Sequence, residues 1–256
     1  MNIYTMGSHY LSNINSSHNH FIVIHKNIVT VFFTLLVSLA WAQADKMIKL
    51  KLITEKESFR TMVKSDSLMA MIELKSLIPE AQYDLRYASS KNFTGQRLYP
   101  KNTHTTYLRR KPALALAKVA EDLKEKGLCI KIWDAYRPYR TTVRFWELIH
   151  DERFVANPSK GSGHNRGTAV DLTLIDLKTG KELDMPTPFD DFSAAAFHGA
   201  KNIDDRKTRN RELLRTTMEK YGFLPLETEW WHYSWPGSSA YDVLDLSFKA
   251  LGSKID

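Results

Sequence analysis

The chain has 256 residues, of which 43% are hydrophobic and 25% charged, and its formal net charge is +7. This composition excludes a disordered or low-complexity protein and supplies enough apolar side chains for the core of one domain or two small ones. The basic residues are spread along the chain, and the densest run, 205–215, keeps Leu213 and Leu214 in an apolar stripe. Such a run favours a solvated helix face over a nucleic-acid-binding patch, so we expect no nucleic acid as a partner.

The N-terminal segment differs in kind from the rest of the chain. It contains one lysine, Lys26, and no acidic residue, and its apolar run 28–42 leads into Ala42-Gln43-Ala44. These features predict a secretory signal peptide over residues 1–44, and the apolar run is shorter than the ~20 residues of a membrane span. The long leader before Lys26 favours a true start codon downstream of Met1, and an uncleaved anchor is the alternative. We therefore expect an exported, periplasmic chain that begins near Asp45 and has no stable membrane span after cleavage.

The chain has a single cysteine, Cys129, within LCIKIW. One thiol excludes an intramolecular disulfide and a cysteine-rich zinc site. The apolar neighbours predict that Cys129 is a small core residue.

Helices and strands are mixed along the remaining chain without a regular βαβ rhythm. Pro112 opens and Gly127 closes the clearest helix, with Leu116, Val119 and Leu123 at helical spacing. The predicted elements are, in chain order, short strand-like and turn segments over 74–95, helix 112–127, strand 128–138, helix 141–154, a Gly/Ser/Asn-rich loop, strand 168–176, helix 208–221 and strand 227–235. This order predicts an α+β fold with a small, mostly antiparallel sheet flanked by helices.

Asp171 is an acidic residue inside an apolar strand. On strand 168–176, Ala169 and Asp171 share one face, and a buried acid is costly unless it is paired or binds a metal. His164 precedes the strand in the predicted flexible loop, and Gly167 and Ala169 are expected to leave space beside the acid. These residues alone are as consistent with a structural hydrogen bond as with a metal site.

Glu229 and His232 form a second pair, three residues apart among bulky aromatic side chains. An i, i+3 pair shares a face on a helix but not on a flat strand, so we expect one to bind a metal and the other to lie just outside. His164, Asp171 and His232 would form a three-ligand set at the sheet with an open fourth position, the pattern of a catalytic zinc site. Glu229 would then carry a proton from water to a leaving amine.

Arg137 stands directly before Pro138, which favours an extended backbone and a side chain projecting from the strand end. A fixed guanidinium beside a metal would stabilise a developing oxyanion. The simpler alternative is a structural ion pair with Asp134, and this motif alone favours that alternative.

Several further residues are expected to be structural. His104, His150 and His198 lie outside the motifs, and surface or core roles are favoured for them over metal binding. Trp230 and Trp231 are expected to pack in the core, with the option that one forms a wall of a binding pocket.

Jointly, the motifs resemble one family. SGHNRGTAVD fits the pattern S-x-H-x-x-G-x-A-x-D of the zinc D-Ala-D-Ala peptidases, a group that includes VanY-type carboxypeptidases and the zinc domain of Hedgehog. The closer resemblance is to the D-alanyl-D-alanine dipeptidases of the VanX type, over about residues 75–235. The segments that carry it, in the family's order, are YDLRYASSKNFTG (83–95), WDAYRP (133–138), SGHNRGTAVDLTL (162–174), PFDDF (188–192) and EWWHY (229–233).

The resemblance implies a role for each residue of the metal site. His164, Asp171 and His232 would bind one Zn²⁺ per chain, and Glu229 would act as general base and acid. Arg137 would polarise the scissile carbonyl and stabilise the tetrahedral intermediate.

The resemblance also implies a substrate pocket. Asp190 would hold the free ammonium of a dipeptide, Tyr87 would help to close that pocket, and Ser162 would add a polar contact. Asp191 stands beside Asp190 as a second candidate acid. Gly163 is a departure, because family members often carry a second serine before the histidine.

The implied function is zinc-dependent hydrolysis of D-alanyl-D-alanine to two D-alanines in cell-wall peptide turnover. One alternative is a zinc D,D-carboxypeptidase that acts on peptidoglycan stem peptides, and another is a non-catalytic zinc-binding domain, against which Glu229 and Arg137 speak. We expect residues 45–74 to form an N-terminal extension and residues 75–256 to form the catalytic domain, with a small dipeptide as the partner.

Overall fold

The computed structural model describes residues 50–252, so the predicted signal peptide lies outside the described residues. The strands are β1 (Leu52–Ile53), β2 (Met71–Glu73), β3 (Gln82–Tyr83), β4 (Tyr107–Arg109), β5 (Leu128–Asp134), β6 (Ala169–Asp176), β7 (Leu224–Leu226), β8 (Glu229–Ser234) and β9 (Val243–Leu244). The helices are α1 (Lys56–Ser65), α2 (Leu74–Leu77), α3 (Arg110–Glu125), α4 (Tyr139–Ile149), α5 (Gly163–Arg166), α6 (Asp205–Lys220) and α7 (Phe248–Gly252). Among these helices, none has the length and apolar character needed to cross a membrane.

The central sheet has five strands in the order β3-β5-β6-β8-β7. Only the β3–β5 pairing is parallel; β5–β6, β6–β8 and β8–β7 are antiparallel. The register places Asp171 opposite Asp134 on one side and opposite His232 on the other. The expectation of mixed helices and strands is confirmed, and the sheet brings three polar side chains to neighbouring positions.

Helices α3 and α6 supply much of the main core. Pro112 lies in the first turn of α3, where a missing backbone N–H costs nothing. Leu116, Val119 and Leu123 are fully buried, as the helical spacing predicted, and each such side chain contributes about 1.5–3 kcal/mol through burial. Gly127 then turns the chain into β5 with a φ of +74°, a left-handed conformation that glycine adopts without strain.

The N-terminal part of the described chain packs into the same unit as the central sheet. Strand β1 pairs with β9 and β2 pairs with β4. The buried Arg109 guanidinium donates to the backbone carbonyls of Met69, Arg166 and Asp242. One side chain therefore joins three segments that are far apart in sequence.

Some predicted boundaries move by several residues. The predicted helix 141–154 is Tyr139–Ile149, because His150 adopts a left-handed φ of +49° and ends it. Helix α6 begins before the predicted residue 208, because the Asp204 carboxylate accepts hydrogen bonds from the backbone N–H groups of Arg206 and Lys207.

Candidate active site

His164 lies on α5, a single helical turn with reciprocal capping. The Ser162 hydroxyl accepts from the backbone N–H of Asn165 at 3.2 Å, and the Asn165 side chain accepts from the backbone N–H of Ser162 at 3.0 Å. Gly167 closes the turn with a φ of +69°. The expectation that His164 lies in a flexible loop is wrong, because these caps hold it in a short helix with only 3% of its surface exposed.

His164, Asp171 and His232 form a cluster of three potential metal ligands, with one donor atom from each lying within 4.8 Å of the others. His232 Nδ1 lies 3.2 Å from His164 Nε2 and 2.9 Å from Asp171 Oδ1. His164 Nε2 lies 3.4 Å from Asp171 Oδ2. Two imidazole nitrogens and one carboxylate oxygen are a donor set that Zn²⁺ takes in catalytic sites, so these residues fit the metal that the sequence predicts.

The charges of this cluster support one another. Burial alone would raise the pKa of Asp171, but His164 and His232 hold it below its usual range. Burial alone would lower the pKa of His232, but the hydrogen bond and charge of Asp171, together with Glu229, raise it. The Asp171 carboxylate therefore remains ionised in a buried position, as a ligand for a cation must.

The second ring nitrogen of each histidine also contacts an oxygen atom. His164 Nδ1 lies 2.7 Å from the carbonyl oxygen of Ala135. His232 Nε2 lies 3.0 Å from the hydroxyl of Ser234. These contacts direct the remaining nitrogens, His164 Nε2 and His232 Nδ1, towards Asp171.

Glu229 lies beside the cluster rather than in it, with Oε2 at 3.9 Å from His232 Nδ1. The side chains of Glu229 and His232 line one cavity. On a regular strand, residues three apart would point to opposite faces. The pairing with β7 is irregular here: Pro225 is opposite Tyr233, but the next residue, Leu226, is opposite Glu229. Burial, with a smaller contribution from Asp171, raises the pKa of the Glu229 carboxyl, which suits a group that must both accept and release a proton.

Arg137 projects into the same cavity and is also paired with Asp134. Its Nε and Nη2 atoms lie 2.9 and 2.8 Å from Asp134 Oδ2, and the guanidinium carbon lies 4.6 Å from the Phe145 ring centre. Burial alone would lower the pKa of Arg137, but Asp134 raises it. The ion pair considered as an alternative is thus present within the site, where it holds the guanidinium in place.

Asp134 is itself buried, and both of its carboxylate oxygens accept hydrogen bonds. It accepts hydrogen bonds from the Tyr99 hydroxyl at 2.7 Å and from the backbone N–H of Ala135 at 3.0 Å. Burial raises its pKa, an effect that Arg137 and His164 oppose. A buried carboxylate with this many donors orients its partner instead of reacting itself.

Asp190 and Tyr87 form a hydrogen-bonded pair in the wall of the cavity that also holds Arg137, Glu229 and His232. The Tyr87 hydroxyl donates to Asp190, at 3.2 Å from Oδ1 and 3.4 Å from Oδ2. Burial, followed by the charge of Asp171, raises the pKa of Asp190 well above its usual value. The neighbouring Asp191 instead accepts from the backbone N–H of Ser193 at 2.9 Å. Asp190 is therefore the acid that faces the cavity.

The cavity that these residues share has a volume of about 350 Å³. All eight sequence-predicted site residues line it: Tyr87, Arg137, Ser162, His164, Asp171, Asp190, Glu229 and His232. Its other walls include the aromatic rings of Phe93, Phe145, Phe154, Phe192 and Trp231 and the polar side chains of Glu152, Arg153 and Thr228. Trp230 instead packs in the core and donates to Thr187 at 3.0 Å. A small cavity lined by aromatic rings and by charged and polar groups suits a small ligand that carries both charged and apolar parts.

The expectation that Gly167 and Ala169 leave room for metal or substrate is wrong. A Cβ on Gly167 would lie 2.6 Å from the Met71 side chain, and a Cβ on Gly163 would lie 2.9 Å from the Ala169 Cβ. These small residues allow α5 to pack closely against β6 and the N-terminal segment. The same contact explains why a glycine stands at position 163, since a serine there would displace Ala169.

The remaining histidines lie outside the cavity, as expected. His104 is exposed and His150 caps α4. His198 is buried with 2% of its surface exposed, and neither ring nitrogen has a hydrogen-bond partner among the described residues.

Residues 67–249 match the family model of the peptidases M15, described as D-ala-D-ala dipeptidase, and the chain belongs to this family. The D-alanyl-D-alanine dipeptidase of Escherichia coli (strain K12) is 33% identical over 181 residues, covering 71% of this chain and 92% of that protein. The D-alanyl-D-alanine dipeptidase of Enterococcus faecium is 32% identical over 178 residues, covering 62% of this chain and 88% of that protein. The resemblance seen in the motifs and the expectation of a peptidase are confirmed.

One solved structure is distantly similar to this chain. The vancomycin resistance D,D-pentapeptidase VanY in complex with Zn(II) matches with a TM-score of 0.34 and 16% identity, over 52% of this chain and 75% of that one.

Proposed function

We propose that the protein is a zinc-dependent dipeptidase that hydrolyses D-alanyl-D-alanine to two D-alanines. The observation that carries the proposal is the convergence of three ligand-type residues, His164, Asp171 and His232, with Glu229 3.9 Å from His232. Membership of the peptidase M15 family and relatives named D-alanyl-D-alanine dipeptidase support this substrate.

The metal cluster residues and Glu229 divide the chemistry between them. Zinc bound by His164, Asp171 and His232 would supply Lewis acidity and lower the pKa of a bound water towards about 7. Glu229 accepts a proton from the attacking water and then donates it to the leaving amine, so that one peptide bond and one water become two amino acids. The raised pKa of Glu229 reduces the free-energy difference between its protonated and ionised forms near neutral pH, so that it can both accept and release the proton.

Arg137 stabilises the negative charge that develops on the carbonyl oxygen during attack. Asp134 holds the guanidinium in a buried position, so little reorganisation is needed when the charge forms. Because Arg137 stays protonated throughout the accessible pH range, its positive charge is present whenever the negative charge forms on the carbonyl oxygen.

Asp190 selects a free dipeptide. Its carboxylate faces the cavity and is paired only with the neutral Tyr87 hydroxyl among the described side chains. The ammonium of a free dipeptide would form an ion pair with the buried Asp190 carboxylate. An N-acylated substrate has no such ammonium and would leave the carboxylate without a cation. This feature favours a dipeptidase over a D,D-carboxypeptidase, whose stem-peptide substrates continue beyond that amine.

The test compares zinc-loaded protein on D-Ala-D-Ala and on N-acetyl-D-Ala-D-Ala, with release of D-alanine as the readout. We expect turnover of the free dipeptide and little of the blocked one. Preference for the acetylated compound would support the carboxypeptidase alternative. No hydrolysis of either, by protein with one zinc per chain, would support the non-catalytic alternative.

The metal assignment has its own test. Asp171→Ala is expected to abolish zinc binding while the chain still folds, because a ligand is lost and an apolar strand gains an alanine. Zinc content after dialysis measures the first effect and circular dichroism the second. Retention of one zinc per chain by this variant would contradict the assignment.

We further propose that the chain is exported to the periplasm and acts in cell-wall peptide turnover. Lys26, the apolar run 28–42 and the end Ala42-Gln43-Ala44 support a cleaved signal peptide. The test is mass spectrometry of the N-terminus of protein from the periplasmic fraction, where we expect a chain beginning near Asp45. Recovery of an uncleaved chain in the membrane fraction would support the anchor alternative.

A further inference from the structure

The two histidines of the cluster are oriented by different kinds of oxygen. His164 Nδ1 lies 2.7 Å from the carbonyl of Ala135, and a carbonyl only accepts hydrogen bonds. The proton of the neutral ring is therefore on Nδ1, and Nε2 presents its lone pair to the cluster. His232 Nε2 lies 3.0 Å from the Ser234 hydroxyl, which can either donate or accept.

His232 thus has two possible neutral forms with different uses. Asp171 Oδ1 lies 2.9 Å from His232 Nδ1, and a carboxylate favours a proton on that nitrogen. Binding a metal through Nδ1 requires the opposite form, with the proton on Nε2 and an acceptor beside it. Among the described residues, the acceptor within hydrogen-bond distance of Nε2 in this largely buried ring is the Ser234 hydroxyl.

We infer that Ser234 is a positioning residue for the metal ligand His232: its hydroxyl accepts the Nε2–H and so stabilises the form whose Nδ1 binds metal. This inference rests on the proposed metal site. Hydrogen-bond acceptors beside a ligating histidine fix its ring and raise its basicity, and their loss typically lowers metal affinity by about 10–100-fold.

The position of the hydroxyl is set by the fold. Ser234 is two residues after His232 on β8, so both side chains lie on the same face of the strand. It stands opposite Ala169 in β6. A Cβ on Gly163 would lie 3.6 Å from Ser234 Oγ, so the start of α5 covers the hydroxyl closely without displacing it.

The Ser234 contact can be tested by mutation, whereas the corresponding contact of His164 is made by a backbone carbonyl. Ser234→Thr keeps the hydroxyl. Ser234→Val has nearly the same shape as the threonine variant but lacks the hydroxyl, and both β-branched residues suit a strand. Ser238→Ala is the matched control, because that hydroxyl bonds to Thr168 Oγ1 at 2.5 Å and not to a metal ligand.

The experiment titrates metal-free full-length protein with Zn²⁺ in competition with a chromophoric chelator. We expect the zinc Kd to rise about 10–100-fold in Ser234→Val and Ser234→Ala, and to stay within a few-fold of the parent in Ser234→Thr and Ser238→Ala. A second readout is the ¹⁵N spectrum of the histidine rings in zinc-loaded protein. It should show His232 protonated at Nε2 in the parent and in Ser234→Thr.

Each outcome is decisive. Equal zinc affinity in the Thr and Val variants, both folded by circular dichroism, would overturn the inference even if Ser234→Ala failed to fold. Failure of the parent to bind zinc would overturn it together with the metal site. Tight zinc binding with the expected Thr–Val difference but no hydrolysis of D-Ala-D-Ala would leave this inference standing and remove the proposed function.

Discussion

Asp134 and Arg137 form a buried ion pair in which two nitrogens of the guanidinium approach one carboxylate oxygen, at 2.9 and 2.8 Å. Asp134 is fully buried and is also held by Tyr99. Removing one partner of such a pair leaves an uncompensated charge, which costs more than the pair contributes when intact. The pair therefore fixes where Arg137 can act.

We predict that Asp134→Asn lowers kcat for D-Ala-D-Ala by about 10–100-fold, because a charge-assisted hydrogen bond worth about 1.5–3 kcal/mol no longer holds Arg137. Zinc content should stay at one per chain, since Asp134 is not among the ligands. Steady-state kinetics and metal analysis on the same preparation measure both. An unchanged kcat in folded, zinc-loaded Asp134→Asn would show that Arg137 needs no such support.

Glu229→Gln is predicted to lower kcat by about 10²–10⁴-fold, the usual contribution of a general base. Zinc affinity should change little, because Glu229 Oε2 lies outside the ligand cluster. Glu227→Gln is the matched control: this residue is exposed two positions earlier, and its variant should keep full activity. Equal loss of activity in both variants would point to a structural cause.

Asp190→Asn is predicted to raise KM for D-Ala-D-Ala and to lower kcat/KM by about 10–100-fold, through loss of a charged hydrogen bond to the substrate ammonium. Asparagine is the suitable replacement because Asp190 has a φ of +62°, a conformation that asparagine tolerates. Asp191→Asn is the control, since that carboxylate caps a turn. If the Asp190 variant kept the parent's discrimination against N-acetyl-D-Ala-D-Ala, Asp190 would not be the ammonium-binding acid.

His198 is predicted to make the protein less stable in mild acid. Burial, with Arg215 and Arg211, lowers its pKa from 6.5 to about 4, so the unfolded chain binds a proton at a pH where the folded chain does not. The contribution to stability is complete above pH 6.5 and is lost as pH falls towards 4. At pH 5 this amounts to about 2 kcal/mol.

Urea denaturation at pH 7 and pH 5 measures this effect. The parent should lose about 2 kcal/mol more than His198→Phe between the two pH values. His104→Phe, at an exposed position, should behave like the parent. A pH dependence that is the same in His198→Phe and in the parent would assign the loss to other groups.

Residues that contrast with their neighbours along the chain were predictable from the sequence. Asp171 stood out because an acid interrupts an apolar strand, and Glu229 and His232 stood out among aromatic residues. The antiparallel register then placed Asp171 opposite His232. The clearest helix was marked by Pro112 and Gly127, whose backbone preferences do not depend on the rest of the fold.

Residues that act through tertiary proximity were not predictable. Tyr99 meets Asp134 across 35 positions of sequence, and no spacing rule links them. The one-turn helix that carries His164 is too short to show a period, so its segment resembled a loop. Phe93, Phe154 and Phe192 reach the cavity from three separate segments, where single aromatic residues carry no signal.

The contact of Arg109 with the N-terminal part of the described chain limits how far a functional chain can be shortened. Its guanidinium donates to the Met69 carbonyl, and Phe59, from the same N-terminal part, packs in a cluster with Tyr99 and Tyr136. A truncated chain that began at residue 75 would keep every site residue but remove this support, leaving a buried donor unsatisfied and aromatic surface exposed to water. We expect such a fragment to aggregate, and a chain beginning at Leu50 to remain monodisperse and folded.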